Sequence, residues 1–229
     1  MPRKARVAPG GLIYHVLNSA AGRKRLFHGG RDFAGFERVM QQAWQRVGLP
    51  ILSYCILPNH WHFIAAPRED GELTAFFRWL ANTHAMRWRV SHRHGPLYQG
   101  RFKSFPIQRD EHLLTACRYV ERNALSAGLV QRAEDWRWGS LWARCHGGEE
   151  LKSWLAEWPV DRPRNWVATV NAPLSDKELQ CLQASETRGR PFGSERWIEQ
   201  TVRKLDLRYT IRPQGRPKAA RQKGGKREN

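Results

Sequence analysis

Apolar and polar positions follow two rhythms along this chain, a period of two and a period near 3.6. The order in which they alternate predicts the elements. Residues 11–17 alternate and carry Ile13 and Val16, which reads as a first strand with Tyr14 and His15 facing opposite sides. Residues 18–30 are polar, basic and glycine-containing, hence a loop. Asp32 is placed to cap a helix, and behind it Phe33, Phe36, Val39, Met40, Ala43, Trp44 and Val47 recur at three- and four-residue spacing until Gly48 and Pro50 stop them. Residues 51–56 are rich in β-formers, Pro58-Asn59 reads as a turn, and residues 60–66 form the second strand of a hairpin. Residues 72–90 return to the helical rhythm through Leu73, Phe76, Phe77, Leu80, Thr83 and Met86. A loop full of breakers (95–100) leads to a strand over 101–107, where basic residues alternate with aromatics. Asp110 opens a third helix running to about Leu125, closed by Gly128.

Strand, helix, hairpin, helix, strand and helix make an α+β chain. The order predicts a ferredoxin-like antiparallel sheet with helices on one face, the third helix crossing that sheet. Past Asp135 the character changes. Trp136, Trp138, Trp142, Trp154, Trp158 and Trp166 crowd together among prolines, a packing extension more than a platform for stacking bases. Residues 171–186 predict a short helix on a linker, and 194–205 another helix capped by Ser194. The expected division is a core domain over 1–145, a Trp-rich extension and linker over 146–185, a helical segment over 186–212 and a basic disordered tail over 213–229.

Composition narrows the class. A formal net charge of +18 on 229 residues attracts polyanions, nucleic acid first. No apolar run approaches the length of a membrane span, and the basic N-terminus lacks the apolar core of a signal peptide, so no membrane partner and a cytoplasmic, nucleoid-associated location are expected. Cys55, Cys117, Cys145 and Cys181 are scattered without a C-x-x-C pair, consistent with reduced core cysteines.

The candidate chemistry lies in the hairpin and the third helix. On a strand, His60 and His62 share one side about 6.6 Å apart, while Trp61 and Phe63 face the other way. Two converging imidazoles can grip one divalent cation. Nine histidines in 229 residues give about 0.35 such pairs by chance, so the pair needs support from elsewhere. Tyr119 and Asn123 stand one helical turn apart on one face of the third helix. A phenol there would attack phosphorus, and the amide would offer the cation an oxygen. Two nitrogens and one oxygen suit Mg²⁺ or Mn²⁺; zinc is the alternative, but no thiolate or clear third histidine completes a zinc site. Tyr14, Tyr54, Tyr98 and Tyr209 are the rival nucleophiles. DNA contacts are expected from Arg101 and Lys103 on the basic-aromatic strand, from Arg78 and Arg87 on the second helix, from Tyr98 as a stacking group, and from Arg188 and Arg190 in Arg-Gly-Arg-Pro.

Several ordered motifs resemble one family. Leu57-Pro58-Asn59-His60-Trp61-His62 resembles the HUH signature. Arg118-Tyr119-Val120-Glu121-Arg122-Asn123-Ala124-Leu125-Ser126-Ala127-Gly128-Leu129-Val130 resembles the tyrosine helix of the REP-associated tyrosine transposases, with Ala124 where that family often has proline. Tyr98-Gln99-Gly100-Arg101-Phe102-Lys103-Ser104, Asp135-Trp136-x-Trp138-x-Ser140, and the start from Pro2-Arg3-Lys4 to Gly11-x-Ile13-Tyr14-His15-Val16 are similar to it too. The likeness spans about residues 1–143. It implies a single-tyrosine DNA endonuclease and strand-transferase with a 5′-phosphotyrosine intermediate. It also implies a divalent metal on His60 and His62, Tyr119 as nucleophile, Asn123 as the polar residue one turn on, and a single-stranded substrate carrying a hairpin. A homodimer is compatible with it. The competing readings are a DNA-binding protein without catalysis and an RNA-binding ferredoxin-like module.

Overall fold

The structure is a computed structural model that describes residues 7–22, 24–92 and 95–212. The basic tail from residue 213, the Pro2-Arg3-Lys4 start and Arg93 fall outside the described residues. Four strands form one antiparallel sheet in the order β2-β3-β1-β4: β1 (Ile13–Ser19), β2 (Ile51–Leu57), β3 (His60–Ala65) and β4 (Lys103–Ile107). With α1 (Gly30–Val47) between β1 and β2 and α2 (Glu72–His92) between β3 and β4, the order is that of a ferredoxin-like unit.

Pleating assigns the side chains to two faces. Tyr14, Val16, Tyr54, Ile56, Trp61 and Phe63 pack under α1 and α2 in one cluster with Phe36, Met40, Phe76 and Phe77. Ile13, Leu17, Cys55, Ile64, Phe105 and Ile107 make a second cluster on the opposite face. There they meet Leu113, Ala116, Cys117 and Val120 of α3 (Glu111–Ser126), whose N-cap Asp110 accepts a hydrogen bond from the His112 N–H. The expectation of helices on one face therefore holds for α1 and α2 only. All seven residues of β2 are buried, so the sheet is apolar on both sides and a second layer must cover it.

The extension adds Leu141 of α4 (Ser140–His146), Trp166 and Val170 of α6 (Trp166–Asn171) and Leu182 of α7 (Asp176–Arg188) to that second layer, while Leu151 of α5 (Glu149–Ser153) packs on the first cluster and Ile198 and Val202 of α8 (Glu195–Lys204) form a third. The helix expected over 171–186 is α7, which starts only at Asp176; α6 precedes it and ends at Asn171, before Pro173. A capping box of Ser175 and Glu178 starts α7, and Gly189 ends it at φ 71°, a conformation only glycine takes without strain. The chain then turns back to β4, where Phe192 accepts from Gln108 N–H and donates to Pro106 O at 2.9 Å each. This pairing covers part of an edge that would otherwise stand open. The tryptophans are packing groups. Trp136, Trp158 and Trp166 spend their indole N–H on Ile56 O, Leu52 O and the Glu121 carboxylate. Among the described residues no helix is long and apolar enough to cross a membrane.

Candidate active site

On the second-layer face, four elements bring polar side chains to one point. β3 presents His60 and His62 together, as its period requires, with ring centroids 4.9 Å apart. β1 runs beside β3 with Leu17 opposite His62 and His15 opposite Ile64, which sets His15 diagonally next to His62. His15 Nε2 lies 2.8 Å from His62 Nδ1. α3 carries Tyr119 over both, its ring centroid 6.0 Å from each imidazole. α7 brings Glu186 from the far end of the chain: its Oε1 is 3.5 Å from His62 Nδ1 and 3.8 Å from His15 Nε2. The Tyr119 hydroxyl hydrogen-bonds the Glu186 carboxylate, and Asn123 faces that hydroxyl from one turn on. His60 is turned by its neighbour: its Nδ1 is 2.6 Å from Asn59 Oδ1.

The site is largely buried, and burial sets its electrostatics. Burial drives His15 down to about 3 and His62 well below the ordinary histidine value, helped for His62 by the His15 and His60 charges; His60 is lowered by burial too. All three imidazoles are neutral at physiological pH, with nitrogen lone pairs available. Burial lifts the Tyr119 phenol, and the Glu186 charge lifts it further. Burial lifts Glu186 up to about 7, against the pull of its hydrogen bond from Tyr119 and of Lys103. Three buried polar atoms here have no hydrogen-bond partner: His15 Nδ1, Asn123 Nδ2 and Glu186 Oε1. Lone pairs on neutral imidazole nitrogens and on a carboxylate oxygen are the chemistry a divalent cation requires, and His15, His62 and Glu186 each offer a ligand atom within 4.8 Å of the others, although His15 Nε2 and His62 Nδ1 are bonded to each other.

Of the residues singled out in the sequence, His60, His62, Tyr119 and Asn123 lie on this face. The strand pattern says of His15 only that it faces away from Tyr14, and it does not reach Glu186, which no local spacing connects to β3. The rival tyrosines are elsewhere. Tyr14 donates to Pro9 O on the opposite face, and Tyr54 is fully buried in the first core. The Tyr98 hydroxyl accepts from Trp61 Nε1 at 3.1 Å and lies 2.7 Å from His84 Nδ1. Tyr98 also lines, with Arg78 and Arg101, a groove of about 630 Å³ beside α2. Arg101, Lys103 and Arg188 line a second groove of about 300 Å³ along β4. Arg87 stands apart and donates to Gln42 of α1 at 2.9 Å, while Arg190 borders a cavity next to α8.

A family model described as "Transposase IS200 like" matches residues 10–123, from the turn before β1 through Asn123. The chain belongs to the IS200-like transposase family. It is an enzyme of the single-tyrosine HUH class, and His15, His60, His62, Tyr119 and Asn123 all lie inside the matched stretch. Glu186 lies outside it. Among solved structures this transposase is similar to a REP-associated tyrosine transposase bound to a REP hairpin, at 17% identity and a TM-score of 0.52, covering 64% of this chain and 87% of that one. A weaker likeness, at 16% identity and a TM-score of 0.38, is to a transposase-like protein of Deinococcus radiodurans, covering 53% of this chain and 97% of that one. No curated protein matches it.

Proposed function

We propose that this transposase cuts and rejoins single-stranded DNA beside a hairpin, using Tyr119 as the nucleophile. The observation that carries the reading is the seating of one phenol over the buried imidazoles of His62 and His15, 6.0 Å from each centroid to centroid, with His60 4.9 Å from His62. The Tyr119 oxygen forms a bond to phosphorus, the phosphorus–O3′ bond breaks, the phenol's proton is lost to water and the departing 3′ oxygen gains one. The strand is left as a 5′-phosphotyrosine and a free 3′ hydroxyl. Because one phosphodiester replaces another, bond energy is kept, and a second 3′ hydroxyl can reverse the exchange. His60 and His62, with Asn123 beside them, are the residues that would hold Mg²⁺ or Mn²⁺. When bound, the cation neutralises charge building on the phosphate oxygens. Burial keeps the imidazoles unprotonated and ready as ligands, and the packing of α3 on the sheet fixes the angle at which the phenol approaches.

The substrate class follows from charge and from likeness. The net charge of +18 and the arginine-lined grooves beside α2 and β4 favour a phosphate backbone, and the structurally similar protein is bound to a REP hairpin. Arg78, Tyr98, Arg101, Lys103 and Arg188 are the residues assigned to that strand, with Arg87 and Arg190 as outlying contacts. Nucleoid DNA in the cytoplasm is the corresponding location. Tyr119 and the histidines come from a single chain, so a second subunit is not needed to complete the site. The test is a hairpin-bearing oligonucleotide with Mg²⁺ or Mn²⁺, read by mass for a tyrosine-linked fragment. Tyr119→Phe removes both nicking and adduct; an adduct that survives reassigns the nucleophile. Binding that ignores a chelator, with no cleavage of any hairpin, would instead mark a DNA-binding protein without catalysis.

A further inference from the structure

We propose that His15 and Asn59 are positioning residues for the two histidines of β3, holding each imidazole so that its Nε2 is the atom offered to the cation. This rests on the cation-dependent reading of the site and deepens it, by naming the ligating nitrogen of each ring and what selects it. A neutral imidazole has one N–H and one lone pair, so a ligand histidine keeps its proton on the nitrogen that does not bind the metal. The hydrogen bond made by that second nitrogen decides which one is left. Both rings have a partner at Nδ1. His60 Nδ1 lies 2.6 Å from Asn59 Oδ1, an oxygen that only accepts, so His60 carries its proton on Nδ1. His62 Nδ1 lies 2.8 Å from His15 Nε2 and is engaged by that ring. Nε2 is what each histidine has left to give.

β1 sets the His15 ring. The register puts His15 opposite Ile64 on β3 and Phe105 on β4, which leaves it diagonal to His62. The side chain is fully buried and meets the Phe105 ring edge-on, 4.9 Å between centroids. The proton between His15 and His62 has two candidate owners. With His62 as owner, His15 accepts at Nε2 and keeps its own proton at Nδ1, a buried atom without a partner. With His15 as owner, His62 is protonated at Nε2 and has no lone pair for a metal. The unpaired donor on His15 weighs against the first arrangement. Glu186 Oε1 weighs for it, being without a partner and nearer to His62 Nδ1, at 3.5 Å, than to His15 Nε2, at 3.8 Å. A cation on His62 Nε2 excludes the second arrangement outright. His15 is then the acceptor that frees Nε2 of His62, as Asn59 frees that of His60 from the turn.

The test uses the full chain with ¹⁵N-labelled histidine rings, read by NMR without metal and then with Zn²⁺ as a diamagnetic divalent probe. Mn²⁺ affinity is measured alongside by electron paramagnetic resonance. Ring-nitrogen shifts tell protonated, bare and metal-bound nitrogens apart. In the zinc-loaded wild type, His60 and His62 are expected to be metal-bound at Nε2 and protonated at Nδ1, and His15 protonated at Nδ1. His15→Leu should split the zinc-bound His62 between Nδ1 and Nε2 and weaken Mn²⁺ about tenfold. His15→Gln, whose amide oxygen can accept where Nε2 did, should restore both. A merely structural role would move affinity with folding stability and leave the His62 nitrogens as in wild type. Zinc on His62 Nδ1 in the wild type, or an unaltered His62 pattern in His15→Leu, overturns the inference and leaves the cation in place. Wild type that takes up neither ion, with or without a hairpin oligonucleotide on a Tyr119→Phe background, overturns it together with the cation-dependent reading. Should His15→Leu not fold, Asn59→Ala, a change at an exposed residue of the turn, decides the same question at His60.

Discussion

Glu121, two residues from Tyr119, is the deepest acid in the tyrosine helix and offers a sharp test of how that helix is held. It is 3% exposed. Ser140 Oγ donates to it at 2.7 Å and Trp166 Nε1 at 2.6 Å. Behind Ser140, the Tyr54 N–H donates to the same Oγ at 3.0 Å and Ser53 Oγ lies 3.1 Å away. The carboxylate therefore ties α3 to β2, α4 and α6 at once. Glu121→Ala strands a serine hydroxyl and an indole N–H in a dry site. Each orphaned group costs about 1–3 kcal/mol, so the loss is about 2–5 kcal/mol before any cavity cost. That is a large share of the 5–15 kcal/mol on which a typical domain stands.

Glu121→Gln behaves differently. Its carbonyl takes the indole N–H, its NH₂ donates to Ser140 Oγ, and the serine hydroxyl rotates to Ser53, so every group keeps a partner. Burial raises the Glu121 carboxyl above 4.5, against the lowering effects of Ser140, Trp166, Arg144 and Arg162. With a raised folded value, the stability from Glu121 is complete below 4.5 and is lost as pH rises through the folded value. Glutamine does not titrate, so its stability relative to wild type should improve between pH 5 and pH 8. The assay is urea unfolding followed by tryptophan fluorescence at both pH values. Glu121→Gln should lie within about 1 kcal/mol of wild type at neutral pH and Glu121→Ala well below both. Equal losses in the two variants at both pH values would refute the reasoning, because the helix would then not depend on this network.

Two more outcomes follow from buried groups. His84 is driven down to about 4 by burial, with Asp32 opposing, so it contributes stability above pH 6.5 that is lost as pH falls toward 4. From pH 7.5 to 5 the wild type should lose about 2 kcal/mol more than His84→Gln in urea unfolding, on the value of 1.36 kcal/mol per unit; equal pH slopes would count against it. At Gly10 an added Cβ would meet Arg68 O at 2.4 Å and Glu69 Cα at 2.6 Å, both backbone atoms, so Gly10→Ala should cost about 1–3 kcal/mol and a neutral result would show that this crossing can shift.

The parts of the site written in short-range rhythm were legible in the sequence. A period of two puts His60 and His62 on one side whatever the rest of the sheet does. A period near 3.6 puts Tyr119 and Asn123 on one stripe. His15 needed the register of β1 against β3, and register is decided by cores on both faces, which one strand's pattern does not report. The second face was hidden for the same reason. β2 reads as a plain β-former run, and only its burial on both sides shows that α3 and the extension must lie opposite α1 and α2. Arg87 looked like the other arginines of α2, yet its rotation about the helix turns it to Gln42 rather than to the grooves shared by Arg78 and Arg101.

Glu186 was hidden most completely, and the way it is delivered says what the extension does. Four nearly consecutive positions of α3 are tied to it. Arg118 donates to carbonyls at Ala172 and Pro173, Tyr119 to Glu186, Glu121 accepts from Trp166, and Arg122 donates to Val170 O and Asn171 O. The arginines meet the carbonyl end of α6, where the helix dipole favours positive charge. Under the proposed reaction Tyr119 approaches phosphorus along one line, so its helix must not roll about its own axis. The sheet restrains α3 from below through Leu113, Cys117 and Val120, but an apolar contact resists sliding and rolling only weakly. Directional hydrogen bonds from the opposite side supply the missing restraint. The extension is therefore a second wall of the site, and the orientation of Tyr119 depends on residues that the family-matched stretch does not contain.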